Sequence, residues 1–163
     1  MSELDELREV QTASREIFDG KIMHVFEDTV RLPDGNAATR EYMRHIGAVC
    51  VIPVLENGDV LVERQYRYPV GQVLTEIPAG KLDRRDEDRL LAAQRELREE
   101  TGAEAGEWTS LGLFYPACAY SDEAIEMFLA RGIRFGERHL DKDEFLNVAR
   151  MPLAALLEAV MAG

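Results

Sequence analysis

Short runs of apolar and β-branched residues, separated by turn signals, recur along most of the chain, and this pattern favours a sheet-rich fold. The predicted strands lie at 12–31 (two strands around a turn), 39–45, 47–55, 60–68, 73–82, 108–116 and 124–133. The continuously apolar run 47–55 predicts a buried central strand. Asn57-Gly58 is a strong hairpin signal and predicts that 60–68 pairs with that strand. The strand at 73–82 is expected to end in a Pro-Ala-Gly turn.

Helical periodicity is found in two segments. Residues 88–101 place Leu90, Ala93 and Leu97 on one face, and Gly102 supplies a stop signal. Residues 152–163 are interpreted as a closing helix that begins near a proline. Strands outnumber helices and the two interleave, so the pattern predicts an α/β or α+β sandwich with a mixed sheet.

Composition and charge restrict the class of protein. The 163 residues suit one compact domain with a small N-terminal extension, and the net charge of −12 argues against a non-specific nucleic-acid binder, whose surface is basic. Cys50 lies in an apolar run and is expected to be a buried thiol, and it shares no metal-type spacing with Cys118. The polar, acidic N-terminus is unlike a signal peptide, and no stretch approaches 18 apolar residues. We therefore expect a cytoplasmic protein.

Carboxylates crowd one face of the predicted helix at 88–101. Glu96, Glu99 and Glu100 stand at positions i, i+3 and i+4, so they share a face and repel one another. The crowding indicates either a solvated charged face or a cation site, because carboxylate oxygens are preferred ligands of Mg²⁺ and Mn²⁺. The spacing within the helix leaves both interpretations open.

The segment GKLDRRDEDRLLAAQRELREETGA resembles the Nudix box, whose pattern is G-x5-E-x7-R-E-U-x-E-E-x-G-U, with U a bulky apolar residue. From Glu87 to Gly102 the match is complete. Six residues rather than five separate Gly80 from Glu87, so Asp86 has the spacing of the first glutamate. Ala103, smaller than usual, stands at the final apolar position.

The resemblance implies a role for each residue of the box. The metal ligands that it implies are Ala79 (through its backbone carbonyl), Glu96, Glu99 and Glu100. Arg95 is expected to orient a glutamate, Glu87 to buttress the loop before the helix, and Gly80 to form a tight turn. Bound Mg²⁺ or Mn²⁺ neutralises a diphosphate and activates water. The acidic cluster would then attract metal first, and the metal would attract the anionic substrate.

Features outside the box resemble the ADP-ribose pyrophosphatase subgroup, and the resemblance covers most of the chain. They are the runs REIFDGKIMHVFEDTVRLPDGNAATREYMRH and HIGAVCVIPVLENGDVLVERQYRYPVGQVLTEIPAGKL. The resemblance implies a small antiparallel β-rich dimerisation region at 1–45 and a Nudix α/β/α sandwich with a mixed sheet at 46–163. The substrate contacts that it implies, some of them from a partner subunit, are Arg40, Arg44, Arg67 and Lys81.

The loop that follows the strand at 108–116 is expected to carry the general base. The acidic pair Asp122-Glu123 matches the end of the family's loop, and Glu123 is the candidate base, mobile until substrate and metal close the loop. The sequence departs from the family's Ser-Pro-Gly at 117–119, where it reads Ala-Cys-Ala. Three tyrosines are candidates either for stacking on an adenine or for core packing: Tyr66, Tyr68 and Tyr120.

The resemblance implies a homodimeric, metal-dependent enzyme that hydrolyses ADP-ribose to AMP and ribose 5-phosphate, with no nucleic-acid or membrane partner. Catalytic roles are expected for Glu123, Glu99 and Arg95. Two alternatives stay open: a Nudix pyrophosphatase for another nucleotide sugar or dinucleotide, and a catalytically silent nucleotide-sensing module. Because family members usually continue past a helix such as 152–163, part of the substrate cover is expected beyond Gly163 or is missing.

Overall fold

The computed structural model describes residues 3–138 and 145–162, which form mostly strands. The helices are α1 (Glu3–Leu7), α2 (Arg89–Thr101) and α3 (Leu153–Ala162). The strands are β1 (Val10–Asp19), β2 (His24–Arg31), β3 (Ala37–Arg44), β4 (Ala48–Pro53), β5 (Asp59–Arg67), β6 (Gln72–Glu76), β7 (Ala79–Lys81), β8 (Ala103–Glu104), β9 (Glu107–Phe114), β10 (Ile125–Arg131), β11 (Arg134–Phe135) and β12 (Leu146–Pro152). Gly163, where the predicted closing helix ends, lies outside the described residues.

The chain divides into two compact units. The first is Met1–His45 together with Tyr115–Ala124, and the second is Ile46–Phe114 together with Ile125–Gly163. The loop that carries Glu123 therefore clusters with the N-terminal strands, although the sequence interpretation assigned it to the segment 46–163.

The first unit is built on the antiparallel sheet β1-β2-β3. Residues 20–23 separate β1 from β2, and the N–H of Gly20 donates to the carbonyl of Met23 (2.8 Å), which closes a turn around Lys21 and Ile22. All ten residues of β1 are exposed, whereas β2 buries Asp28 and Val30. This sheet is the small N-terminal antiparallel extension that the sequence predicted.

The second unit contains a mixed sheet in the order β7-β4-β10-β9, in which β4 and β10 run parallel. A second sheet, β12-β5-β6, is antiparallel, and β8 pairs with β11. Val49 and Val51 of β4 are fully buried, as expected for a central strand without solvent-facing positions. The combination of a mixed sheet with separate helices confirms the α+β fold class.

The prediction that the segment 60–68 pairs with the central strand is wrong. The turn forms as expected, since Gly58 has a φ of 86° and the N–H of Leu55 donates to the carbonyl of Asp59 (2.8 Å). Beyond one bridge between Val54 and Val60, however, β5 leaves β4 and pairs with β12 and β6. The residues of the turn determine where the chain reverses direction. Which sheet β5 joins depends on the strands that pair with it, β6 and β12, which come later in the sequence.

The core of the second unit lies between α2 and the sheets. Ala93 and Leu97 of α2 are fully buried and belong to one cluster with Val49 and Phe128, while Leu90 packs against that cluster from its edge. By contrast, α3 buries none of its described side chains. In the described part of the chain, no helix has the length and apolar character needed to cross a membrane.

Candidate active site

Helix α2 carries the acidic face, and both of its ends are fixed by the sequence. Asp88 is the N-cap, whose carboxylate accepts a hydrogen bond from the N–H of Leu91 (3.0 Å). Gly102 ends the helix in the left-handed conformation at a φ of 70°, and its N–H donates to the carbonyl of Arg98 (2.9 Å). The start and the end of the helix that carries the glutamates are therefore both defined by local hydrogen bonds.

The three glutamates of the predicted metal site differ in exposure. The Glu100 residue is buried, the Glu96 side chain is 12% exposed, and the Glu99 side chain is 41% exposed. Glu100 Oε2 accepts a hydrogen bond from the backbone N–H of Ala79 (3.1 Å), which ties the helix to β7. The exposure of the carboxylates on this face thus increases from Glu100, which is buried, to Glu99, which is open to solvent.

The strand register places the Ala79 peptide on the side of the glutamates. Ala79 lies opposite Cys50 where β7 pairs with β4. In the neighbouring pair, the N–H of Val51 donates to the carbonyl of Pro78 (2.8 Å), so that pair is hydrogen-bonded across the two strands. In an antiparallel ladder the residue beside such a bonded pair directs both its N–H and its C=O away from the partner strand. Because the Ala79 N–H meets Glu100, its carbonyl is also available on the α2 side of β7.

Gly80 is a strand residue, so the prediction of a tight Pro-Ala-Gly turn is wrong. It pairs with Val49 in β7, and its φ is not positive. The structure requires glycine there for space, because a Cβ built on Gly80 would overlap the carboxylate of Glu96. Close approach, rather than backbone conformation, is the reason for glycine at this position.

Arg95 is the hub of the acidic cluster. Its Nη1 donates to Glu96 (2.7 Å) and Glu99 (3.4 Å), and its Nη2 donates to the carbonyl of Lys81 (3.2 Å) and to Glu87 (3.5 Å). Burial disfavours the charge, but the neighbouring carboxylates, led by Glu96, raise the pKa of Arg95 above its ordinary value. The guanidinium therefore stays charged and holds the carboxylates at defined positions.

The structure distinguishes the two acids that compete for the first glutamate of the box. Glu87 Oε2 accepts a hydrogen bond from the N–H of Asp83 (2.7 Å) and contacts Arg95, and its side chain is 15% exposed. The Asp86 side chain is 87% exposed and lies at ion-pair distance from Arg84 (3.5 Å). Glu87 therefore closes the loop before α2, and the extra residue is accommodated in the exposed part of that loop.

The residues on this face fit a divalent cation. Carboxylate and carbonyl oxygens are the donors that Mg²⁺ and Mn²⁺ prefer, and the missing side chain at Gly80 leaves room around the Glu96 carboxylate. Within residues 3–138 and 145–162, no three acidic, histidine or cysteine side chains are already gathered as a metal cage. The glutamates are instead held by Arg95 and the Ala79 N–H, so a bound ion would exchange these contacts for its own.

The two predicted substrate contacts of the second unit lie on strands. Arg67, at the end of β5, donates from Nε to Glu76 Oε2 (2.8 Å) across the β5–β6 pair. Lys81 ends β7 with an exposed side chain, and its carbonyl receives the bond from Arg95. Tyr66 and Tyr68 are more than half exposed, so the core-packing alternative is wrong for both.

The other two predicted arginines lie in the first unit. Arg40 binds Glu9 through two hydrogen bonds (2.9 and 2.5 Å), and its side chain is 47% exposed. Arg44 donates to the hydroxyl of Tyr42 (3.2 and 3.0 Å) and stacks 3.9 Å from the centre of the Phe26 ring. The hydrogen bonds to Tyr42 raise the pKa of Arg44. Both guanidiniums are thus oriented within the unit itself.

The candidate base lies in the same unit. The N–H of Glu123 donates to Ser121 Oγ (3.1 Å), and its carboxylate is 3.7 Å from Nδ1 of His45. Sequence reasoning missed His45 because it stands at the end of a strand pattern and belongs to no motif. Tyr120, in the same loop, is 62% exposed, so core packing is also wrong for this tyrosine.

Comparisons with known proteins agree with this description. A family model described as the NUDIX domain matches residues 43–162, and a model described as the nucleoside diphosphate sugar hydrolase N-terminal domain matches residues 9–43. The chain belongs to the Nudix family. Nudix hydrolases generally use divalent metal ions.

Individual relatives cover nearly the whole chain. It is 38% identical to an ADP-ribose pyrophosphatase of Bacillus subtilis (94% of this chain, 84% of the relative) and 40% identical to one of Mycobacterium tuberculosis (93% and 74%). It is also 36% identical to a methanol dehydrogenase activator of Bacillus methanolicus (98% and 86%). A crystal structure of an ADP compounds hydrolase superimposes with a TM-score of 0.83 at 22% identity, covering 94% of this chain and 83% of that one, and confirms the fold.

Proposed function

We propose that the protein hydrolyses the diphosphate bond of ADP-ribose to AMP and ribose 5-phosphate and requires Mg²⁺ or Mn²⁺. The observation that carries the proposal is the complete set of box glutamates on one face of α2, beside a glycine whose missing side chain makes room for Glu96. The names of the two ADP-ribose pyrophosphatase relatives support the choice of substrate.

In this proposal the metal is held by oxygens of α2 and β7. The ligands are the Ala79 carbonyl, Glu96, Glu99 and Glu100. The bound ion supplies charge neutralisation of the diphosphate and activation of water. Arg95 donates hydrogen bonds to Glu96 and Glu99 and so holds both carboxylates on this face of α2.

The chain's own residues account for the proton and for substrate binding. Glu123 accepts the proton of the attacking water, whose oxygen bonds to one phosphorus while the bridging P–O bond breaks and AMP and ribose 5-phosphate separate. Arginine forks suit phosphate oxygens. The residues proposed to bind substrate are Arg40, Arg44, Arg67 and Lys81.

We further propose that the protein is a cytoplasmic homodimer. The N-terminal region 1–45 is the proposed dimerisation region, since β1 is exposed throughout and carries large apolar side chains such as Ile17 and Phe18 on its surface. Both cysteines are free, which suits a reducing compartment.

A second candidate function is the hydrolysis of another nucleotide sugar or dinucleotide. The Ala-Cys-Ala run at 117–119, where the family carries Ser-Pro-Gly, favours this candidate. The relative named as a methanol dehydrogenase activator is compatible with it. A silent nucleotide-sensing module is the third candidate. It is disfavoured by the full glutamate set, because a module that only binds has no need of so many repelling carboxylates.

A product assay distinguishes the three candidates. Alkaline phosphatase releases phosphate from AMP and ribose 5-phosphate but not from intact ADP-ribose, so coupled phosphate release reports hydrolysis. The assay is run over ADP-ribose, other nucleotide sugars and dinucleotides, with Mg²⁺, with Mn²⁺ and with EDTA. We expect metal-dependent turnover with preference for ADP-ribose. Preference for another compound would support the second candidate, and binding without turnover would support the silent module.

A further inference from the structure

The loop that carries Glu123 is fastened to the end of β3 by backbone hydrogen bonds. The N–H of Met43 donates to the carbonyl of Tyr120 (2.8 Å), and the N–H of Asp122 donates to the carbonyl of Met43 (3.2 Å). Met43 and Ser121 form a parallel bridge, and Ser121 is buried. These hydrogen bonds position the backbone of the loop within the first unit.

His45 adds two contacts at the same place. Its backbone N–H donates to Asp122 Oδ1 (2.6 Å), and its ring Nδ1 lies 3.7 Å from Glu123 Oε1. The imidazole is 12% exposed and the Glu123 side chain 25% exposed, so solvent screens this contact less than a surface ion pair. The preceding residue, Arg44, interacts electrostatically with Asp122, the other carboxylate of the loop.

We infer that His45 is a positioning residue that holds the carboxylate of Glu123 in one orientation. This inference rests on the proposed function, in which Glu123 takes the proton from water. A carboxylate on a loop can adopt several rotamers, and a largely buried imidazole 3.7 Å away favours the rotamer that contacts it. His45 acts through Glu123 and need not touch the substrate.

The test is a double-mutant cycle on ADP-ribose hydrolysis with His45→Ala, Glu123→Gln and the double variant. We expect His45→Ala to lower kcat by about 10-fold to 100-fold, a part of what a general base contributes, with KM within about threefold. In the Glu123→Gln background the same change should have no further effect, because the group on which His45 acts is already disabled. His45→Gln, which keeps a donor, should recover part of the loss.

The matched control is His24→Ala. His24 also meets a carboxylate in the first unit, with Nδ1 2.5 Å from Asp19 Oδ1, but on the exposed β1–β2 turn. It should leave kcat unchanged. Additive losses in the cycle, or a loss confined to KM, would overturn the positioning role.

NMR spectroscopy tests the contact between His45 and Glu123 independently of turnover. The ring proton signals of His45 in NMR spectra should shift in Glu123→Gln, a variant that leaves His45 intact; unchanged signals would overturn the contact whatever the activity and whether or not His45→Ala folds. If the wild-type protein cleaves none of the nucleoside diphosphate derivatives, the proposed function fails and the inference falls with it. An active wild type with an additive cycle overturns the inference alone.

Discussion

Gly80 faces the carboxylate of Glu96 so closely that a methyl group on Gly80 would occupy the same space. The contact joins a three-residue strand to the helix that carries the acidic face. The box has a glycine at this position in this chain because the packing leaves no room for a side chain. Backbone conformation is not the reason, since Gly80 adopts ordinary strand geometry.

Gly80→Ala should therefore impair function more than folding. The carboxylate of Glu96 is the end of a flexible side chain, so it can move aside at little cost in stability but then leaves its position. We expect turnover to fall by about 100-fold or more and Mn²⁺ binding to weaken, as loss of a metal contact would predict. Calorimetric titration with Mn²⁺ and thermal unfolding measure the two effects. Gly106→Ala is the control, because its nearest neighbour would be 3.8 Å away.

Removing one negative charge from the acidic face should abolish most of the activity. Glu100→Gln keeps an oxygen to accept the Ala79 N–H, so the fold should persist, and Glu96→Gln is similar in shape. We expect kcat to fall by about 10²-fold to 10⁴-fold in each variant. Circular dichroism checks the fold, and the exposed Glu107→Gln is the control. A wild-type rate in either variant would refute the site.

Glu87 and its neighbour Asp86 should differ in their effect on stability. Glu87→Ala removes the acceptor of the Asp83 N–H and a partner of Arg95, which should lower the free energy of unfolding by about 1–3 kcal/mol. Asp86→Ala should change it by no more than about 0.5 kcal/mol, because its side chain is solvated. Urea unfolding compares the two. Equal losses would contradict the assignment of Glu87 as the residue that closes the loop.

Asp28 should make the stability of the protein sensitive to acid. Hydrogen bonds from Ser14, Tyr42 and Gln11 lower its pKa below the ordinary value of 3.8, against the opposing effect of burial. The folded state therefore favours the charged form. Its contribution is complete above the unfolded pKa and is lost as the pH falls through the lower, folded pKa.

In Asp28→Asn this acid-dependent loss should be absent, so the stability difference between wild type and variant should be constant well above the ordinary pKa of 3.8 and should narrow as the pH falls below it. Denaturant unfolding from about pH 2 to about pH 6, which covers both sides of the titration, measures the effect. Glu16→Gln, on the exposed face of β1, is the control. A constant difference between variant and wild type over the whole range would rule out the proposed linkage.

The two cysteines should differ in reactivity. Burial raises the pKa of Cys50 to about 11, so its thiolate is scarce at neutral pH, whereas Cys118 is exposed. Iodoacetamide at neutral pH should modify one site in the native protein and two in denaturant, as read by mass spectrometry. Cys118→Ser should abolish native labelling. Rapid labelling of that variant would show that Cys50 is accessible.

Local patterns predicted the elements whose stabilisation is local. The helix expected at 88–101 is found at Arg89–Thr101, because an N-cap, an apolar stripe and a terminal glycine all act within a few residues. The buried strand at 47–55 is found as Ala48–Pro53 for a similar reason, since its continuous apolar run has no solvated alternative. The candidate metal-binding glutamates followed from the spacing of the box.

Strand pairing was less predictable. The segment 60–68 was assigned to the wrong partner, and β12 was not predicted, although it supplies the strand beside β5. The register of a strand and its pairing partner depend on which sheet edges, formed by distant segments, are available. The alternation of apolar and polar residues within the strand does not specify those edges. The pairing of His45 with Glu123 was missed for the same reason, since 77 residues separate the hydrogen-bonded neighbours His45 and Asp122.

The sequence by itself determined the acidic face of α2, the ends of that helix and the family, because each depends on residues a few positions apart. Only the tertiary structure decided that Gly80 is required by the Glu96 carboxylate, that Glu87 rather than Asp86 closes the loop, and that the loop bearing Glu123 belongs with the N-terminal strands. These relationships depend on contacts between distant segments, whose free energy is set by packing and not by local conformational preference.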